Sequence, residues 1–172
     1  MKAPPTTISE LCIRCGLCCS GVLFADVLLK KNDTTTALEG AELPLEDREG
    51  GTYLLQPCAA LCRGRCQVYE QRPTDCRKFN CAVVKKVKRG KLTLEEGAQL
   101  VRRAKDRIRR LEKLLSDLGN RQTDLPLTWR YDETFSQPWD PNVDEVLNIK
   151  RSRLLKTSTS LAQFLDNEFL RG

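Results

Sequence analysis

The sequence predicts a mostly α fold with a small, irregular, cysteine-rich metal-binding core, few short strands, and a long amphipathic helix and C-terminal helices packed on that core. Three observations carry the prediction. All nine cysteines lie before residue 82. A capped pattern with one apolar stripe runs from Leu94 to Leu118. Beyond it, apolar residues recur at helical rather than alternating spacing. A chain of 172 residues suits one domain, so the cysteine-cluster region 1–92 and the helical extension 93–172 are expected to share it.

Taken in order, Met1 to Thr7 has no apolar stretch behind Lys2, and no apolar run anywhere approaches the roughly 20 residues that span a bilayer. A soluble, cytoplasmic protein is expected. Cys12-Ile13-Arg14-Cys15-Gly16-Leu17-Cys18 reads as a tight ligand loop, in which Gly16 lets the backbone curl and aim its N–H groups at sulfur. The apolar run from Gly21 to Leu29 is either a strand or a buried helical turn. Residues 32–51 are polar and end in Gly50-Gly51, which marks a surface loop, and Thr52 to Leu55 then reads as a short strand delivering Cys58.

The helix from Leu94 to Leu118 opens on a Thr93/Glu96 capping box, has Gly119 as its C′ residue, and aligns Leu94, Ala98, Val101, Ala104, Ile108, Leu111, Leu115 and Leu118. From Val101 the spacing alternates three and four, which admits a coiled-coil dimer, but packing on the chain's own core or C-terminal helices is the expectation. Thr123 to Pro141 holds three prolines and four of the ten aromatic residues, and reads as an extended segment pinned by Trp129, Tyr131, Phe135 and Trp139. Two further helices are expected, from about Val143 to Leu155 and from Ser160 to Leu170.

Charge is uneven. Residues 1–76 carry a net −2, residues 77–113 a net +10 and residues 114–172 a net −2. The basic excess therefore follows the cysteines directly, in Arg77, Lys78, Lys85, Lys86, Lys88, Arg89, Lys91 and the long helix. Such a stripe can bind nucleic acid or an acidic protein partner. A solvated helix face is the expectation, because no aromatic platform is interleaved to stack bases.

The cysteines are the chemical signal. A secreted disulfide scaffold is disfavoured by the odd count, the adjacent Cys18-Cys19 pair and the absence of a signal peptide. Burial as small apolar fillers does not account for their clustering. Closely spaced thiolates are what zinc and iron–sulfur clusters require. Side chains of adjacent residues diverge, so Cys18 and Cys19 suit two metals, or two sides of one cluster, better than one tetrahedral ion.

The full pattern joins Cys12-x-x-Cys15-x-x-Cys18-Cys19 to Pro57-Cys58-x-x-Leu61 and then to Cys66-x-Val68-Tyr69-Glu70-x-Arg72-Pro73-x-x-Cys76-Arg77-x-Phe79-x-Cys81. It closely resembles the YkgJ-like cysteine-cluster family of zinc- or iron-chelating proteins. The resemblance places eight metal ligands on Cys12, Cys15, Cys18, Cys19, Cys58, Cys66, Cys76 and Cys81, with Cys62 in a variable stretch as the non-ligand. It also marks Tyr69, Arg72, Pro73, Arg77 and Phe79. Pro73 would fix the turn into Cys76, while Arg72 and Arg77 would lie against the cofactor and offset thiolate charge, or form surface ion pairs with Glu70 or Asp75.

Histidine is absent, and so are a serine nucleophile elbow and a glycine-rich phosphate loop, so any activity must come from the metal or a thiolate. The leading expectation is an iron–sulfur cluster, 4Fe–4S, in an electron-transfer or accessory protein. The alternative is structural zinc in a protein whose basic helix binds an acidic partner or nucleic acid.

Overall fold

Residues 5–33, 38, 43–63, 65–140, 142 and 144–171 are described by the structure, a computed structural model. The expectations that fall on Met1 to Pro4, on residues 34–37 and 39–42 of the polar stretch, and on Pro141 and Val143 lie outside the described residues. The chain is mostly α, as expected, and divides into two compact units. One comprises Met1–Asn80 with Asp124–Pro126, and the other Cys81–Thr123 with Leu127–Gly172.

The first unit begins with α1, Ile8–Cys15, whose N-terminal N–H groups need partners. Thr7 supplies one, accepting from the Glu10 N–H at 3.1 Å, and Gly16 ends the helix at φ 69°. Strands β1 (Asp26–Leu28), β2 (Leu45–Arg48) and β3 (Gly51–Leu55) form an antiparallel sheet with β3 in the centre. Thus the Gly21 to Leu29 run contains a strand. The polar stretch holds one too, because Leu45 to Arg48 pairs with Leu54 to Gly51 across a two-residue turn at Glu49-Gly50. Glu46 and Asp47 are exposed there, and an edge strand with one wet face looks like a loop by composition.

Leu38, Leu43, Leu54, Cys58 and Ala60 form the buried cluster of this unit, with half-buried Cys19, Val27, Leu29, Leu45 and Val68 against it. A small hairpin follows, β4 (Leu61–Cys62) paired with β5 (Arg65–Cys66), and then the short α2, Thr74–Lys78. Gly21, at φ +69°, is fixed by space as well as by conformation. A Cβ there would lie 3.0 Å from the Pro126 Cα and 3.4 Å from Pro57.

The second unit is helical: α3 (Ala82–Lys88), α4 (Leu94–Asp117), α5 (Leu127–Ser136) and α6 (Glu145–Leu165), the last continuing into a π-helical turn, Asp166–Leu170. The α4 capping box is formed on both sides, with Thr93 accepting from the Glu96 N–H and Glu96 accepting from the Thr93 N–H. At the other end, Gly119 at φ 90° closes a Schellman motif. Its N–H donates to Ser116 O, and that of Asn120 donates to Leu115 O, both at 3.0 Å. Ala98, Val101, Ala104, Ile108, Leu111 and Leu115 are buried, and α4 packs against α3, α5 and α6. The stripe is therefore spent inside this unit.

Two expectations are corrected here. The Thr123 to Pro141 segment contains α5, which buries Leu127, Arg130 and Thr134 on one face while Trp129 and Trp139 remain 45% and 41% exposed. The buried Asn120 holds this helix, donating to Arg130 O at 3.3 Å and accepting from Arg130 Nε at 3.2 Å. The two C-terminal helices are one. The polar run Thr157 to Ser160 continues α6 because Arg151, Leu154, Leu161 and Leu165 share a buried face, and packing outweighs the small propensity cost of Ser and Thr.

Candidate metal centre

Cys12 and Cys15 stand one turn apart on the last turns of α1, so the expected ligand loop is helical up to Cys15 and turns only at Gly16. From there the chain wraps back, with the Cys19 N–H donating to Gly16 O at 3.1 Å. Cys19 O in turn accepts from the Cys58 N–H at 2.8 Å, which ties the two cysteine groups together through the backbone. Cys66 lies on β5 opposite Leu61, and α1 packs on β5. Cys76 sits in the middle of α2, whose first turn is held by Asp33, accepting from the Thr74 N–H at 2.7 Å and its hydroxyl at 2.6 Å.

All nine cysteines are free thiols. Burial pushes the Cys19 thiol up to about 12, and the charges of Cys58, Cys66, Cys76 and Cys15 add to the effect. Cys76 is pushed up to about 11, again by burial first, then by Cys58, with Arg72 pulling the other way. Cys58 and Cys66 are raised by burial, and each feels thiol or guanidinium neighbours of the same group. Cys15, Cys19, Cys58, Cys66 and Cys76 therefore lie within electrostatic reach of one another. Cys12 and Cys18 are half-buried in the same unit, while Cys62 is exposed on the hairpin. Cys81 begins the second unit as the residue capping α3. Among the described residues, no three Cys, Asp or Glu side chains stand close enough to hold a metal ion.

One local device recurs that sequence reasoning missed. Backbone N–H groups just downstream favour the thiolate at three cysteines: Ala60 at Cys58, Val68 at Cys66, and Val84 with Val83 at Cys81. Each such donor favours the thiolate, opposing burial. Its sequence signal is weak, because any residue except proline provides it.

Arg72 is positioned to do the same from a side chain. Its guanidinium lies 3.6 Å from the Tyr69 ring centroid, Nε donates to Tyr69 O at 2.7 Å, and its charge lowers the pKa of both Cys66 and Cys76. Arg77 is exposed, and its charge acts on Asp33. Asp75 pairs instead with Lys30 at 3.1 Å. Pro73 is buried before α2, where its carbonyl accepts from the Arg77 N–H at 3.0 Å, and Phe79 packs edge-on against Phe24 at 5.0 Å.

The donor set fits a thiophilic metal: soft sulfurs without competing imidazoles, an apolar wall around Cys19 and Cys58, and a cation beside Cys66 and Cys76. Among the described residues, no helix is long and apolar enough to cross a membrane. Residues 11–100, just over half of the chain, match the family CxxCxxCC, whose description reads "Putative zinc- or iron-chelating domain". No curated protein and no solved structure matches the chain.

Proposed function

Because the chain belongs to the CxxCxxCC family of zinc- or iron-chelating domains, we propose that its thiols hold an iron–sulfur cluster, 4Fe–4S, and that the protein serves electron transfer or supports a partner enzyme. The ligands in this reading are the eight cysteines that the sequence pattern marks, Cys12, Cys15, Cys18, Cys19, Cys58, Cys66, Cys76 and Cys81. The observation that carries it is that Cys15, Cys19, Cys58, Cys66 and Cys76 lie within electrostatic reach of one another, so thiolates formed there repel unless they are protonated or share a cation. The aliphatic wall formed by Leu43, Leu54 and Val68 lies against Cys19 and Cys58, and in this reading it would shield a cluster from water, a main control of cluster potential. Bound there, a cluster supplies reversible one-electron chemistry.

This chain's own residues tune that chemistry. Arg72 offsets negative charge at Cys66 and Cys76, and the Ala60 and Val68 N–H groups stabilise thiolate on Cys58 and Cys66. The test is elemental analysis with a visible spectrum on protein purified without oxygen from cells supplied with iron and zinc. Iron with acid-labile sulfide and a broad band near about 400 nm supports the reading. Colourless protein with about two zinc ions, the number eight thiolates satisfy, replaces it with structural zinc.

A further inference from the structure

The second unit carries a cationic furrow. Helices α4 and α6 run antiparallel, as four contacts fix: Arg103 and Arg107 lie over the Phe164 ring at 5.5 and 4.6 Å, Arg107 donates to Ser160 Oγ at 2.9 Å, and Lys150 Nζ reaches Asp117 O at 3.5 Å. This register sets Arg110 of α4 beside the Arg153 to Thr157 turn of α6. Arg103, Arg107 and Arg110 recur at four and three along one edge of α4. Ile149, Arg153 and Lys156 recur at four and three along the α6 edge that also carries Ser160. Arg103, Arg110, Arg153 and Lys156 are exposed.

Among the described residues no carboxylate forms an ion pair with these rows, although Glu96 and Glu168 line one cavity with Arg103. From Val146 to Leu165, α6 contains no acidic residue, and Asp106 of α4 is engaged by Arg109. Elsewhere on this unit Arg102 pairs with Glu95 and Lys86 with Glu168, while Arg103, Arg110, Arg153 and Lys156 face solvent. Ring stacking and the Ser160 hydroxyl hold the Arg103 and Arg107 guanidinium groups in place, and a fixed fork loses little entropy on accepting a carboxylate. At the α4 C-terminal end, Val146 and Ile149 are 64% and 46% exposed, which adds an aliphatic patch to the charge.

We infer that this furrow docks an acidic segment of a protein partner, with carboxylates along Arg103, Arg107, Arg110, Arg153 and Lys156 and an aliphatic side chain against Val146 and Ile149. The exposed Val146 and Ile149 beside the charge favour a polypeptide, whose aliphatic side chains they can take, over nucleic acid, and the covering of Phe164 by two guanidinium groups removes that ring as a surface for base stacking.

The experiment is fluorescence anisotropy of a labelled 14-residue synthetic peptide rich in Glu with two Leu residues, against single-stranded RNA of equal charge, on the full chain with its metal. The expected result is tighter binding of the peptide, weakened by salt, with Kd raised at least about tenfold by Arg110→Glu with Arg153→Glu and several-fold by Ile149→Asp, at unchanged metal content and helicity. Preference for the RNA overturns the inference. So does an absence of peptide binding at low salt, or binding that the charge reversals leave intact. Lys156→Ala, a mild surface change, repeats the test should the double reversal disturb the fold.

Discussion

Cys19 shows how one side chain can be costly alone and useful in company. Its thiol is pushed up to about 12 by burial and by neighbouring sulfurs, so the reduced, metal-free protein holds it protonated. Since the folded pKa lies above the ordinary 9.0, this thiol supports folding below that value and withdraws its support as pH rises toward 12. Cys76 does the same over a shorter span, up to about 11. Metal-free, reduced protein is therefore expected to melt at progressively lower temperature above pH 9, and metal loading to release protons measurable in weakly buffered solution. Cys15→Ser or Cys76→Ser should abolish stoichiometric metal, whereas Cys62→Ser should leave metal content intact; equal loss in all three refutes the assignment of Cys62 as the non-ligand. Arg72→Gln, which removes the cation that lowers Cys66 and Cys76, should move the pH midpoint of metal uptake to higher pH.

Single elements divide cleanly into those whose signals are local and those set by packing. The Thr93/Glu96 box and Gly119 delimit α4 in sequence because caps act within a few residues, and Thr93→Ala is expected to cost about 1 kcal/mol in denaturant unfolding. Leu115 is wholly buried, and Leu115→Ala should cost about 2–5 kcal/mol, a large fraction of a typical folding stability. By contrast, the composition of Leu45 to Arg48 is that of a loop, and only its partner β3 makes it a strand. Prolines and aromatic rings concealed α5, where Pro126 precedes the helix and Pro138 follows it, both positions that a helix tolerates. The cysteines were legible because thiolate chemistry is written in residue identity. The stacking of Arg72 on Tyr69 was not, since an arginine's partner is decided by rotamer and neighbours.

The whole molecule joins two units of unlike construction. The first buries few large side chains around Leu38, Leu43 and Leu54, whereas the second packs a 24-residue helix against three others. Stripping the metal with a chelator under reducing conditions should therefore make residues 5–80 sensitive to limited proteolysis while α4 and α6 stay protected, as mass mapping of the fragments would show. The small segment Asp124–Pro126 gives this division a further meaning. It is encoded within the helical half yet belongs to the sulfur-rich unit, where Pro126 closes over Gly21. A gene fusion that carries only the first eighty codons would transplant eight of the nine cysteines and leave this wall behind. The two halves thus alternate along the chain, and recombination can exchange them only with three crossovers, not one.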